Sequence, residues 1–313
     1  MDTYKSVLEK KPDMVEALYH YACLLADTGK GGQALEIIDL WIEKGQNFPG
    51  VYYVGAKISL ALKSYSKCKE YINMAMADKA VSGEFYLLLA ELLRAEKEYT
   101  AMEDTLLACT REHPLFLEGW RFLAAYYMEK HEIGPAKDVL ENTLEHFPDE
   151  PEIMGNLAWI LLEEGSNPDR ALELARIAYD QMPHQAWLMD TLGWAYYHKN
   201  AFGQAGWMLS QAEEKDPDNA TIQYHLGMTL YKQGKLLKAK EKLESFLVSN
   251  DIKESEKEKI KASLSGLNSH KKEKENSDII IFDPAEQPTL EFPENIDQEE
   301  DILKPDWSNM ERF

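Results

Sequence analysis

A small residue preceded by a bulkier or apolar one returns at a nearly fixed interval through most of the chain. The sites are Tyr21-Ala22, Gly55-Ala56, Leu89-Ala90, Leu123-Ala124, Leu157-Ala158, Leu192-Gly193 and Leu226-Gly227, spaced 34, 34, 34, 34, 35 and 34 residues apart. Twelve residues on, with one residue inserted in the fifth unit, comes a second site: Ala34, Cys68, Met102, Ala136, Ala171, Ala205 and Ala239. Four further on stand Ile38, Ile72, Leu106, Leu140, Ala175, Leu209 and Leu243, and Pro114, Pro148, Pro183 and Pro217 close four units. A fixed period of this length is the mark of a repeat architecture, in which each unit is one supersecondary element stacked on its neighbours.

Each unit contains two stretches of about 12–14 residues with apolar positions at helical spacing. Turns such as Thr28-Gly29-Lys30 and Gln233-Gly234-Lys235 separate them, with Gly placed where a helix end calls for a positive φ. Small residues at the recurring sites let paired helices approach closely. One helix pair cannot bury both of its apolar faces, so neighbouring pairs must stack into a continuous core. The length of 313 residues alone would suggest about two domains; the period replaces that with one elongated array.

The order Trp120, Leu123, Ala124, Tyr127, Ala136, Leu140, Pro148 resembles the tetratricopeptide repeat (TPR) family, as do Leu192, Gly193, Tyr196, Ala205, Leu209, Ala212, Pro217 and Leu226, Gly227, Leu230, Tyr231, Gly234, Ala239, Leu243. The resemblance implies an all-α, right-handed superhelical solenoid. Seven repeats are expected over 15–250, after a half-repeat at 1–12 and before a capping helix at 254–267. A charged hinge and an acidic, disordered tail follow at 269–313. Because Pro12 stands where Pro114 closes a later unit, the chain is expected to start inside a repeat, as a piece of a longer protein.

Family resemblance also implies where a ligand would sit. First helices of successive repeats line a concave face, exposed at positions six and three before the small residue and one and four after it. Those positions include Tyr19, Tyr53, Arg121, Trp159, Trp187, Asp190, Trp194, Tyr197, Tyr224 and Tyr231. Aromatic residues and Arg are the side chains that most often dominate interface energy. The expected activity is therefore non-enzymatic: a scaffold that takes a peptide or partner segment in an aromatic-rich groove. The carboxylate clamp known from one TPR subset needs Lys, Asn and Arg at these positions, and only Lys57, Arg94 and Arg121 are basic.

Charge narrows the partner further. With 34 Lys and Arg against 55 Asp and Glu, the net charge is −21, which argues against nucleic acid, whose affinity comes from basic residues. Residues 277–313 hold eleven acids and two bases, yet include Ile280, Phe282, Phe292 and Trp307. These are candidate tail-docking residues, for a partner or for the groove of the same or another copy. Apolar runs are too short for a membrane span. Three cysteines cannot form a disulfide framework, which suits a reducing, cytoplasmic setting; a fragment of an exported protein would instead be periplasmic or envelope-associated.

No motif implies a cofactor or metal. Gly29-Lys30-Gly31-Gly32-Gln33-Ala34 fits a dinucleotide fingerprint in letters only, since it follows a helix and Ala34 is a packing residue. Asn219-Ala220-Thr221 reads as a helix cap in preference to a glycosylation site. Residues 151–247, through Asn167-Pro168-Asp169-Arg170-Ala171-Leu172 and Leu188–Tyr197, also resemble bacterial TPR lipoproteins of exopolysaccharide and exosortase systems. That likeness implies a bacterial envelope role. Two rival readings stay open: a targeting arm of an enzyme whose catalytic domain precedes Met1, and self-association through the acidic tail.

Overall fold

In the computed structural model, residues 2–248 are described except 12–13, 46–48 and 78–80, together with Glu258 and Lys261. The described helices all belong to one compact unit, Met1–Asn250. Apart from Glu258 and Lys261, the expected capping helix, hinge and tail-docking residues fall outside the described residues.

This unit is a succession of α-helices: α1 (Asp2–Lys10), α2 (Val15–Asp27), α3 (Gly31–Glu43), α4 (Pro49–Ala61), α5 (Tyr65–Ala77), α6 (Gly83–Ala95), α7 (Tyr99–Glu112), α8 (Leu117–Glu129), α9 (Ile133–His146), α10 (Pro151–Glu164), α11 (Pro168–Gln181), α12 (Ala186–His198), α13 (Phe202–Lys215), α14 (Ala220–Lys232) and α15 (Leu236–Val248). From α2 on they form seven consecutive pairs, and each pair packs on the next. First helices also touch one another directly, α2 with α4, α4 with α6, α6 with α8, α10 with α12 and α12 with α14. The all-helical repeat fold expected from the period is the fold observed.

The recurring sites are the core. Ile38, Ile72, Leu106, Leu140, Ala175, Leu209 and Leu243 are each 0% exposed. One apolar cluster runs from Leu8 to Leu92 and a second from Ala90 to Ile222, so burial continues from pair to pair along the stack. The small residues are small for steric reasons. A Cβ added to Gly193 would lie 2.6 Å from Leu209 Cγ and 3.3 Å from the Leu209 backbone nitrogen.

Between the helices of every pair, one residue adopts the left-handed conformation: Gly29, Lys63, Lys97, His131, Gly165, Asn200 and Gly234, with φ from 56 to 74°. The next residue's N–H donates to the carbonyl five positions back, as in Lys30 to Leu25, Glu98 to Leu93 and Lys235 to Leu230, at 2.7–3.1 Å across the seven turns. This is the Schellman closure, which satisfies carbonyls left open at a helix end. Only three of the seven residues are Gly, so the turn geometry is broader than the Gly pattern predicts. The extra residue of the fifth unit follows Gly165. It is absorbed at the start of α11, where Asn167 accepts from Arg170 N–H at 3.1 Å and Pro168 occupies the first turn.

Left-handed conformation costs a residue with a Cβ about 1–2 kcal/mol. Replacing Lys97 with Gly is expected to raise stability by about 1 kcal/mol in urea unfolding. Gly193→Ala should lower it by about 1–3 kcal/mol, because the added methyl overpacks Leu209.

Candidate functional site

Among the described residues, the buried polar or charged side chains are Ser59, Thr110, Thr143, Asp190, Thr191, His225 and Thr229. Thr143, Thr191 and Thr229 each donate to the carbonyl four residues back, the usual way to satisfy a hydroxyl inside a helix. Asp190 and His225 are the titratable members, and they meet each other. His225 Nδ1 lies 2.8 and 3.0 Å from the two Asp190 carboxylate oxygens, linking α12 to α14. Removing a carboxylate and an imidazole from water is costly unless they are paired.

Trp194, on α12, completes the cluster. Its ring lies parallel to His225 at 4.0 Å and to Tyr197 at 4.3 Å, with an interplanar angle of 14° in each case. His198 stands edge-on at 5.0 Å, and Tyr224 is tilted at 6.0 Å. Burial holds the His198 imidazole below its ordinary value, with repulsion from His225 adding to the effect. His198 Nε2 is buried without a hydrogen-bond partner. Burial, then the neighbouring Tyr231, pushes the Tyr197 phenol up.

The expected groove residues divide by depth. Asp190 and Trp194, expected at exposed positions, are 5% and 7% exposed and serve the contact between α12 and α14. Trp159, Trp187, Tyr197, Tyr224 and Tyr231 are half-buried, each offering part of its ring to the surface. Trp187 lies against α10, where a Cβ at Gly155 would fall 2.7 Å from its ring; Gly at that position is what lets the indole settle there. Tyr53 is separate from this group, edge-on to Phe85 at 5.6 Å with Lys57 Nζ 5.9 Å from its ring. Arg121, on α8, donates to Glu150 at 2.8 Å and lies 3.3 Å from Glu152 on α10. Tyr19 belongs to α2, and its side chain lies outside the described ones.

His198 and His225 were missed from sequence, where no metal or triad spacing singled them out. The signal was there in weaker form: an acid on one first helix and a base on the next, three and two residues before their small sites. Neither buried thiol is poised for chemistry. Burial, reinforced by nearby carboxylates, pushes Cys68 up to about 12 and Cys109 up to about 11, far from the lowered values of reactive cysteines. Among the described residues no group of three or more His, Cys, Asp or Glu could hold a metal ion. No described helix is long and apolar enough to cross a membrane.

Residues 121–186 match the family model described as tetratricopeptide repeat. No curated protein matches the sequence. Among solved structures, the chain is similar to the APC/C hetero-tetramer Cut9-Hcn1, with 15% identity and a TM-score of 0.55 over 83% of this chain. This chain covers 51% of that one, about half its length. A second similar structure is the C-terminal part of a TPR repeat-containing protein from Cytophaga hutchinsonii, with 13% identity and a TM-score of 0.54 over 77% of this chain and 98% of that one. At these identities the likeness is one of fold.

His225→Ala would strip the partner from a buried carboxylate and one ring from the Trp194 stack. A loss of about 3–5 kcal/mol in unfolding free energy is expected. For His198, protonation is resisted in the folded state, so its contribution is intact above the ordinary value of about 6.5 and is lost as pH falls through the lower folded value. His198→Gln should flatten that acid-side decline, measured by thermal unfolding across pH.

Proposed function

We propose that this chain, a tetratricopeptide-repeat protein, is a protein-interaction scaffold that holds a partner segment on the first-helix face of α10, α12 and α14. The observation that carries the reading is the division of aromatic labour on that face. Trp194, His225 and Asp190 lock α12 to α14 and hold Tyr224 beside the stack, while Trp187 is seated on α10 at Gly155 and Trp159 stands on α10 itself, all three half-exposed. Rings held in place by packing lose little freedom on binding, so more of their contact energy appears as affinity.

Several features support a binding role over a catalytic one. Tetratricopeptide folds serve in general as interaction modules, and the His–Asp pair is spent on structure, since His225 is 2% exposed. The buried thiols of Cys68 and Cys109 are pushed up, away from the reactive range. Placement in bacterial envelope or exopolysaccharide assembly rests on the sequence resemblance of residues 151–247 alone.

The test uses the half-exposed rings, because replacing Trp194 would also disturb the stack. Trp159→Ala with Tyr224→Ala should weaken partner capture by about 2 kcal/mol or more while helicity by circular dichroism is unchanged. Immobilised wild-type and variant chains, offered the same extract, would be compared by quantitative recovery. Equal recovery of every retained protein sinks this placement.

A further inference from the structure

The first-helix face changes character along the stack. Glu84, Glu118 and Glu152 occupy the same place on α6, α8 and α10, six residues before Ala90, Ala124 and Ala158. On α12 the equivalent residue is Trp187. Glu84 and Glu118 are exposed and Glu152 is half-buried. Guanidinium groups on this stretch already serve its own carboxylates: Arg94 lies 3.3 Å from Glu129, and Arg121 bridges Glu150 and Glu152. The acidic end and the aromatic end therefore meet at α10.

Helix termini explain part of this acidity. Glu84, Glu118 and Glu152 stand in first turns, where negative charge complements the helix dipole. Glu91 has no such role, because it lies in the middle of α6. Its side chain is accessible, yet burial by the surrounding protein pushes its carboxyl up despite the opposing pull of Lys57 and Arg94. It adds an exposed carboxylate to this face away from any helix end.

We propose that the occupant of this face is an extended partner segment, basic along one half and apolar or aromatic along the other. Its cations lie on the α6–α10 carboxylates and its apolar side chains on Trp159, Trp187 and Tyr224. The inference rests on the groove reading above and adds the partner's chemistry to it. Neighbouring helices pack about 8–10 Å apart and a strand advances about 3.3 Å per residue, so one anchor falls about every third residue. Five first helices then need roughly 15 residues.

Fluorescence anisotropy with synthetic peptides of about that length tests it. One carries Lys at about every third residue in one half and alternating Leu and Trp at the same spacing in the other. A second reverses the two halves, and a third replaces each Lys with Glu. One order of the Lys peptide should bind, weakening as salt rises from about 50 to about 300 mM, and the Glu peptide should not. Glu84→Gln with Glu118→Gln should weaken binding about tenfold. Ala125→Lys should do the same from an exposed mid-helix site with no terminus effect. Equal affinity for the Glu peptide, or charge variants changing affinity less than about twofold, overturns the inference; failure of both Lys peptides does so too. In the first two cases a loss with Trp159→Ala and Tyr224→Ala would leave the groove reading standing.

Discussion

The left-handed turn between the two helices of each pair is the constraint on which the stack depends. It sets the angle at which the second helix leaves the first, and that angle decides whether the small site of the first helix meets the large apolar site of the second, as Gly193 meets Leu209 and Gly227 meets Leu243. Seven turns share one hydrogen-bond closure although four of the seven residues carry a Cβ. The backbone geometry is thus more uniform than the side chains that adopt it. Lys63, Lys97, His131 and Asn200 accept a local cost that the packed helices on both sides of each turn offset.

The same economy appears at the candidate site. A buried acid and base join α12 to α14 at its centre. Trp194 carries that register outward by stacking on His225 and Tyr197. Surface rings next to it inherit their positions from a polar contact at the centre. The site is therefore a layered object, with a rigid interior pair, a middle indole and a half-exposed aromatic rim.

The fold was legible because it is written in a period. Ala22, Ala34 and Ile38 announce the same geometry as Gly227, Ala239 and Leu243, and all of them are buried. Asn219 was legible as a cap for a similar reason, and it accepts from Thr221 and Ile222 N–H. Depth on the first-helix face was not. Position relative to the small site places Trp159 and Trp194 alike, yet one is half-exposed and the other lies inside, where the His225 imidazole of the next first helix stacks on Trp194. That distinction arises between units and has no signature within one. Lys63 and Lys97 were illegible as turn residues for the converse reason: nothing in their chemistry favours a positive φ, and the chain around them imposes it.

The residue inserted after Gly165 has a consequence for how the array tolerates change. It enters between the closing turn and the capped start of α11, so α10 ends as its counterparts do and α12 resumes the rhythm of the first helices. The array thus has a slack joint on its second-helix track, while the track that bears the aromatic rings keeps its beat. Lengthening the chain at that joint is a change the architecture has already accommodated once.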